Sequence, residues 1–281
     1  MEGTVENNKI INAKLVDLEK DENILLGFRK KIISFYQRSF PEPHSSLVAG
    51  IILGYKSEQT GIFWDSLKKT GTMHVVVASG MNVTFVAGFL MSILLIFLSR
   101  KKAILFTLLG IWIYAFISGF EAPIVRSTIM FSIALIAQLF GRLSFSTNAL
   151  FLSAILMLII KPIWIYDLGF ILSFTATGSL MLFTKKVEKL LVFVPKYIKT
   201  DLNTTLAAQI GVVPILFVTF GQFNLLSPLV NVLILWTVPL IMIIGSIGGV
   251  IGLIIPELGK LILYLAYPLT WYFISIVGFF N

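Results

Sequence analysis

From residue 73 to the C-terminus the chain alternates long apolar runs with short polar breaks. Eight runs stand out, at roughly 73–98, 103–119, 123–140, 146–160, 168–184, 203–219, 227–254 and 260–280. Each is measured against the ~20 residues an α-helix needs to cross the hydrocarbon of a bilayer. The run at 146–160 is short, and that at 227–254 is long and broken by Pro228 and Pro239, so either suits a tilted or re-entrant element. Before residue 73 the pattern changes. Residues 1–22 are polar and carry no motif, which predicts a mobile leader. Ile24, Phe28, Ile32 and Phe35 then recur at helical spacing, with Arg29, Lys30 and Arg38 largely off that stripe. This predicts a helix in the membrane interface, stopped by Pro41 and Pro43. The stretch 47–54 is apolar but too short to span, and 63–69 reads as a short amphipathic helix ended by Gly71. The expected fold is an all-α polytopic membrane protein of about seven or eight transmembrane helices, some broken or re-entrant. It divides into a polar leader (1–22), interfacial amphipathic helices (23–72) and a transmembrane domain (73–281).

Composition supports the membrane assignment. Hydrophobic residues make up 57% of the chain and charged ones 13%, about half the charged fraction of a soluble domain. The polar start contains no apolar signal core, so no cleavable secretory signal is expected and the first span directs insertion. Cysteine is absent, which excludes disulfide scaffolds, thiolate metal sites and cysteine nucleophiles. The two histidines, His44 and His74, have few carboxylates in the apolar part with which to build a metal site.

Charge is uneven. Residues 1–72 hold ten Lys/Arg and nine Asp/Glu, whereas 73–281 hold twelve and five, so nearly all of the net +8 belongs to the membrane portion. An anionic partner and ordinary positive-inside loops both account for such an excess. With the residues before Met73 placed outside, the inner loops collect Arg100, Lys101, Lys102, Arg142, Lys185, Lys186, Lys189, Lys196, Lys199 and Lys260, against Lys161 alone in the outer loops. That asymmetry sets the expected orientation.

Within the apolar portion, three features carry candidate chemistry. The first is a polar island at the head of the first span, where His74, Ser79, Gly80 and Asn82 must face protein, water or a substrate because lipid cannot hydrogen-bond them. The second is Arg126, about one turn inside a helix begun by Pro123. It fits either snorkelling or pairing with Glu121 on one reading, or a role facing an anion on the other. The third is a set of amides and helix breakers, Gln209, Gly211 and Pro214, then Gln222, Asn224, Ser227, Pro228 and Asn231. Singly these suit helix–helix hydrogen bonds, and as a set they suit discontinuous helices lining a wet cavity. Asp167 reads as the cap of the helix that follows it.

Catalytic signatures are missing: no HExxH, GxSxG or P-loop occurs, and no His/Asp cluster. A Ser79/His74 pair five residues apart would align poorly on a regular helix. Neither an enzyme nor a cofactor is expected. Glu121, Asp167 and Glu257 all sit at span ends, so a proton relay has little support.

These segments, taken in order, resemble the membrane core of the ComEC competence family. The resemblance rests on Pro41-Glu-Pro43 with Leu47 to Gly54, on Thr70-Gly-Thr-Met-His74 through Ala78-Ser79-Gly80-Met-Asn82, and on Pro123-Ile-Val-Arg126. It continues in Asp167-Leu-Gly169-Phe170-Ile-Leu-Ser173-Phe174 and in Gln209-Ile-Gly211 with Pro214, Phe220-Gly221-Gln222-Phe223 and Ser227-Pro228-Leu-Val-Asn231. Two positions depart from the family pattern: Asn82 stands where a histidine is usual, and Ile171 where a glutamine is usual. Both departures remove a polar or titratable group from the presumed path.

The resemblance implies a channel core in the bacterial cytoplasmic membrane that passes single-stranded DNA inward. His74, Ser79, Gly80, Asn82, Arg126, Gln209, Gln222, Asn224, Ser227 and Asn231 are the candidates for its lining. Implied partners are the strand, the lipid bilayer, a periplasmic or surface DNA receptor, a cytoplasmic helicase-like ATPase and a separate nuclease. Longer members add an OB-like and a metallo-β-lactamase-like domain, and neither is expected here: too few residues precede 24, and only membrane sequence without histidine follows 240. The alternatives are a permease for a small anionic or phosphorylated solute, and a membrane scaffold without transport.

Overall fold

The computed structural model describes residues 2–6, 9–14, 24–55, 61–76, 79–220 and 226–281. A two-stranded antiparallel hairpin comes first, β1 (Glu2–Glu6) and β2 (Lys9–Lys14), whose register sets Glu2 opposite Lys14 and Glu6 opposite Lys9. Thus part of the stretch expected to be a featureless leader is paired. Among the described residues the elements after it are all helices: α1 (Ile24–Ser39), α2 (His44–Leu53), α3 (Ile62–Lys69), α4 (Met73–Val76), α5 (Gly80–Phe97), α6 (Arg100–Ile117) and α7 (Ala122–Leu139). There follow α8 (Ser146–Ile160), a 3-10 turn at Pro162–Tyr166, α9 (Leu168–Leu190), α10 (Lys196–Phe220), α11 (Ser227–Ile234), α12 (Thr237–Gly252), α13 (Pro256–Tyr264) and α14 (Tyr267–Phe279).

All eight expected spans are helical, but fewer meet the length and apolarity of a membrane crossing. Four do so as single spans, Met73–Phe97, Ala122–Leu139, Leu168–Leu190 and Lys199–Thr219, and two bent pairs, α11 with α12 and α13 with α14, bring the number to six. Helix α6 opens on Arg100, Lys101 and Lys102, leaving a short apolar part. Helix α8 has 15 residues, a rise of ~22 Å against ~30 Å of hydrocarbon. The bends have local causes. Pro239 and Pro268 stand in the first turns of α12 and α14, where proline has no N–H for the carbonyl four residues earlier. The chain turns by 46° and 48° at those breaks. The second bend departs from the single span expected at 260–280. Pro214, by contrast, stays inside a continuous α10, which packs closely on α9 because Gly211 leaves room for Thr175 and Ser179.

The largest departure from the interfacial reading of 23–72 is α2. All ten of its residues are buried, enclosed by α1, α12 and α14. A short apolar helix with no polar face gains most from full enclosure. Its neighbour α12 offers a face of glycines. Gly245 admits Val48 and Ile52 of α2, Gly249 the ring of Tyr36, Gly252 that of Phe35, and Gly248 and Gly252 face Gly259 of α13. Small residues let helices approach closely where hydrophobicity alone gives no drive to associate in lipid. The Tyr36 hydroxyl, fully enclosed, donates to the Gly245 carbonyl at 2.9 Å. Two further cores complete the bundle. Val83, Ala87, Ile104, Ile111 and Ile124 join α5, α6 and α7, and Val125, Ile129, Met157 and Phe170 join α7, α8 and α9.

At the start of α2, His44 stacks on Tyr267 with ring centroids 4.6 Å apart, and its Nδ1 lies 2.8 Å from Thr270 Oγ1. The Thr270 hydroxyl donates to the Tyr267 carbonyl, so the proton on Nδ1 belongs to the histidine. Burial pushes the His44 imidazole down from its ordinary value of 6.5, with Glu42 opposing.

Two predictions follow from this packing. Tyr36→Phe, which removes the hydrogen bond from Tyr36 to the Gly245 carbonyl and leaves that carbonyl only its helical donor, costs about 0.5–1.5 kcal/mol. Gly249→Leu, which must displace the Tyr36 ring, costs as much or more. Denaturant unfolding in detergent reads both, and an unchanged midpoint for Gly249→Leu would contradict the glycine-face packing. Because folding binds fewer protons at His44, stability is full above pH 6.5 and falls as pH drops below it. His44→Gln flattens that fall in unfolding midpoints taken from pH 7.5 to 5.

Candidate functional site

The site is built around the turn from α3 into α4. Helix α3 ends in a Schellman motif: Thr72 N–H donates to the Leu67 carbonyl at 2.9 Å and Gly71 N–H to that of Lys68 at 3.1 Å. Gly71 takes φ +68°, a left-handed conformation that glycine adopts without steric cost. Thr70 and Thr72, both fully buried, share a hydrogen bond between their hydroxyls at 2.8 Å. This turn presents the Gly71 carbonyl to two of the residues singled out in the sequence, and a third stands behind them. His74 Nδ1 lies 3.0 Å from it, Ser227 Oγ donates to it at 3.5 Å, and Gln209 Nε2 reaches Ser227 Oγ at 3.4 Å. A Cβ on Gly71 would stand 2.9 Å from Ser227 Oγ. Asn231, one turn beyond Ser227, is buried with its Oδ1 unpartnered among the described residues. Gln222 and Asn224 lie outside the described residues.

The other half of the island does different work. Ser79 precedes α5 in an extended conformation, and its hydroxyl donates to Asn82 Oδ1 at 3.2 Å. Asn82 is fully buried, and its Nδ2 donates to the Ile51 carbonyl at 2.7 Å. That carbonyl belongs to the last turn of α2, where four acceptors lack an intrahelical partner. Gly54 N–H takes the carbonyl of Gly50, and the Tyr114 hydroxyl takes that of Ile52 at 3.0 Å. Arg29 Nη2 takes that of Leu53 at 3.1 Å. Asn82 therefore has a structural bond deep in the bundle rather than a position on an open path. Burial pushes the Arg29 guanidinium down from its ordinary value while Glu121 opposes, and a cation at a helix C-terminus complements the helix dipole.

Arg126 neither snorkels nor pairs with Glu121. It is 8% exposed. Nε donates to Ser173 Oγ at 2.7 Å, Nη1 lies 3.2 Å from Met130 Sδ, and the guanidinium sits 5.8 Å from the centre of the Phe174 ring. The electrostatic influence of Glu121 falls on Arg29 instead. Gly80 lies against the arginine, since a Cβ there would stand 2.9 Å from Nη2 and collide with Ser127 Oγ. Asp167 Oδ1 accepts from Phe170 N–H at 2.8 Å, capping α9 and holding the turn from which Ser173 projects.

Two polar groups thus lie on either side of the segment 71–82. One gathers His74, Gly71, Gln209 and Ser227, and the other gathers Gly80, Arg126, Ser127 and Ser173. Ser127, Ser173 and Tyr114 are partners that periodicity did not single out, and Arg29, placed off the apolar stripe of α1, finds its carbonyl partner only in the fold. Ser127 follows Arg126 directly and Ser173 lies in a quoted motif, so both were within reach. Among the described residues no three His, Cys, Asp or Glu side chains come together.

Comparison with known proteins adds an independent line. A family model described as Competence protein matches residues 51–281, which takes in both polar groups. ComE operon protein 3 of Bacillus subtilis (strain 168) is 27% identical over 232 residues, 81% of this chain and 29% of that protein. The chain spans less than a third of the length of that relative. No solved structure matches it.

Asn82→Leu leaves the Ile51 carbonyl buried without a donor and lowers unfolding stability by about 1–3 kcal/mol, read by denaturant unfolding in detergent. Ser79→Ala, which removes only a bond to a side chain already held, changes it by a few tenths. Equal stability of the Asn82→Leu protein and the wild type would remove the structural role.

Proposed function

Because the chain belongs to the Competence protein family, we propose that it is the membrane core through which single-stranded DNA crosses the bacterial cytoplasmic membrane during competence-type uptake. The chain is a multi-pass membrane protein. The observation that carries the reading is the approach of polar side chains from α7 and α11 to the segment that opens the first span, backed by Ser173 of α9 and Gln209 of α10. Such groups in hydrocarbon demand a partner or water. A strand of phosphates needs a wet path with neutral donors, because many fixed cations would hold it too tightly for passage. His74, Gln209 and Ser227 supply such groups, and the long contacts at 3.4 and 3.5 Å are weak ones.

In this reading the core performs no chemistry on the strand, and other proteins supply force and processing. A receptor outside, a helicase-like ATPase inside and a separate nuclease are the partners it calls for. The basic inner loops meet the emerging strand electrostatically, through its phosphates and so without sequence preference.

Deletion of the gene in a competent host, followed by uptake of labelled DNA, tests the proposal. The expected result is that label still binds at the surface while the nuclease-protected fraction disappears and a plasmid copy of the full gene restores it. Normal protection in the deletion strain would overturn the channel reading.

A further inference from the structure

Arg126 poses an electrostatic problem that its protein partners leave open. A buried charge is costly unless an opposite charge and hydrogen bonds compensate it. Here the guanidinium is 8% exposed, and its contacts are a hydroxyl, a thioether and an aromatic face. Among the described residues no carboxylate pairs with it, and its Nη2 has no hydrogen-bond partner.

The free end of the arginine is aimed at Gly80, the first residue of α5. That is a helix N-terminus of 18 residues without a side-chain cap bond, and the amides of Gly80 and Met81 have no partner among the described residues. Helix N-termini carry partial positive charge. A cation and a positive helix end therefore stand side by side, an arrangement that an anion bridging the two from outside would relieve. Gly80 makes the approach possible, because a methyl group there would run into Ser127 Oγ and Nη2. Gly80, the Ser127 hydroxyl and a guanidinium edge without a hydrogen-bond partner among the described residues thus stand together at the start of α5, chemistry that suits a singly charged tetrahedral anion.

We propose that this cradle is a subsite for one phosphodiester of the translocating strand, bound by Arg126 Nη2, Ser127 Oγ and the amides of Gly80 and Met81. The proposal rests on the channel reading and deepens it. Nε remains on Ser173, so α9 holds the guanidinium while its other edge takes the phosphate. The head group of an anionic lipid carries the same chemistry, and the strand is the source to which the proposal commits.

The test uses the full chain in phosphatidylcholine nanodiscs, titrated with a fluorescein-labelled oligo-dT strand and, in parallel, with the same strand bearing a neutral methylphosphonate backbone. Anisotropy is followed from 50 to 300 mM salt. The wild type is expected to bind the charged strand, with Arg126→Gln weakening it about tenfold. The same change should reduce the slope of log affinity against log salt by about 0.7, the value for one phosphate contact on a single strand. Binding of the neutral strand should not respond to Arg126→Gln. Gly80→Ala serves as the second variant, since its methyl group would run into Ser127 and Nη2; it should reproduce the loss when the variants are compared at equal folded fraction. Unchanged affinity and slope in both variants, while the wild type binds, would overturn the subsite and leave the channel reading standing. Failure of the wild type to bind any charged strand would count against the channel reading itself. Disappearance of the Arg126 dependence when phosphatidylglycerol is added at constant ionic strength would assign the cradle to a lipid head group and overturn its assignment to the strand.

Discussion

The last turn of α2 sets the terms for the rest of the molecule. A helix of ten buried residues cannot turn its C-terminal carbonyls to water, and each one left unpaired costs as much as a lost hydrogen bond. The chain meets this demand with three side chains from three different helices, Arg29 of α1, Asn82 of α5 and Tyr114 of α6, on three consecutive carbonyls. The bond from Asn82 fixes where α5 begins. That in turn places Ser79 and Gly80 beside Arg126 of α7, and leaves the turn at Gly71 facing Ser227 of α11. The positions of both polar groups follow from closing one short helix.

The opposite side of α2 is held by shape rather than by hydrogen bonds. The glycines of α12 create a surface into which Val48, Ile52, Tyr36 and Phe35 fit, and one tyrosine hydroxyl on a backbone carbonyl sets the register. The bend between α11 and α12 has a bearing on the site as well. Without it α11 would continue the line of α12. With it, Ser227 at the head of α11 reaches back to the Gly71 carbonyl. Proline in a first turn thus helps position a polar contact that stands 156 residues from its partner in sequence.

Much of this was legible beforehand, for physical reasons. Long apolar runs have few alternatives to helix, so the eight helical segments, the helix α1 and the end of α3 at Gly71 could be read from periodicity and turn chemistry. The enclosure of α2 could not, because a short apolar segment looks the same whether it lies at an interface or inside a bundle. Asn82 illustrates the same limit. A polar residue near the head of a span must have a partner, but composition does not say whether that partner is a ligand or a carbonyl 31 positions earlier. Pro268 and Pro214 show the limit of local rules: both lack an N–H, yet one accompanies a bend and the other sits within an unbroken helix. The close packing of α10 on α9 through Gly211 holds that helix straight enough to continue.

The contrast between the two polar groups bears on how a path can be selective for a polyanion without trapping it. Around Gly71 the contacts are neutral, and two of the three are long, so water or a passing group can replace them at little cost. Around Arg126 the charge is fixed, buried and held on one edge by Ser173. A row of such cations would bind successive phosphates together, and each added contact would slow release. In the proposed channel, one cation amid neutral groups would instead favour one phosphate at a time, with the next phosphate competing for the same place as the strand advances. That exchange would keep the gain in binding small at every step, which is the condition under which a strand enters a low-dielectric interior and still leaves it.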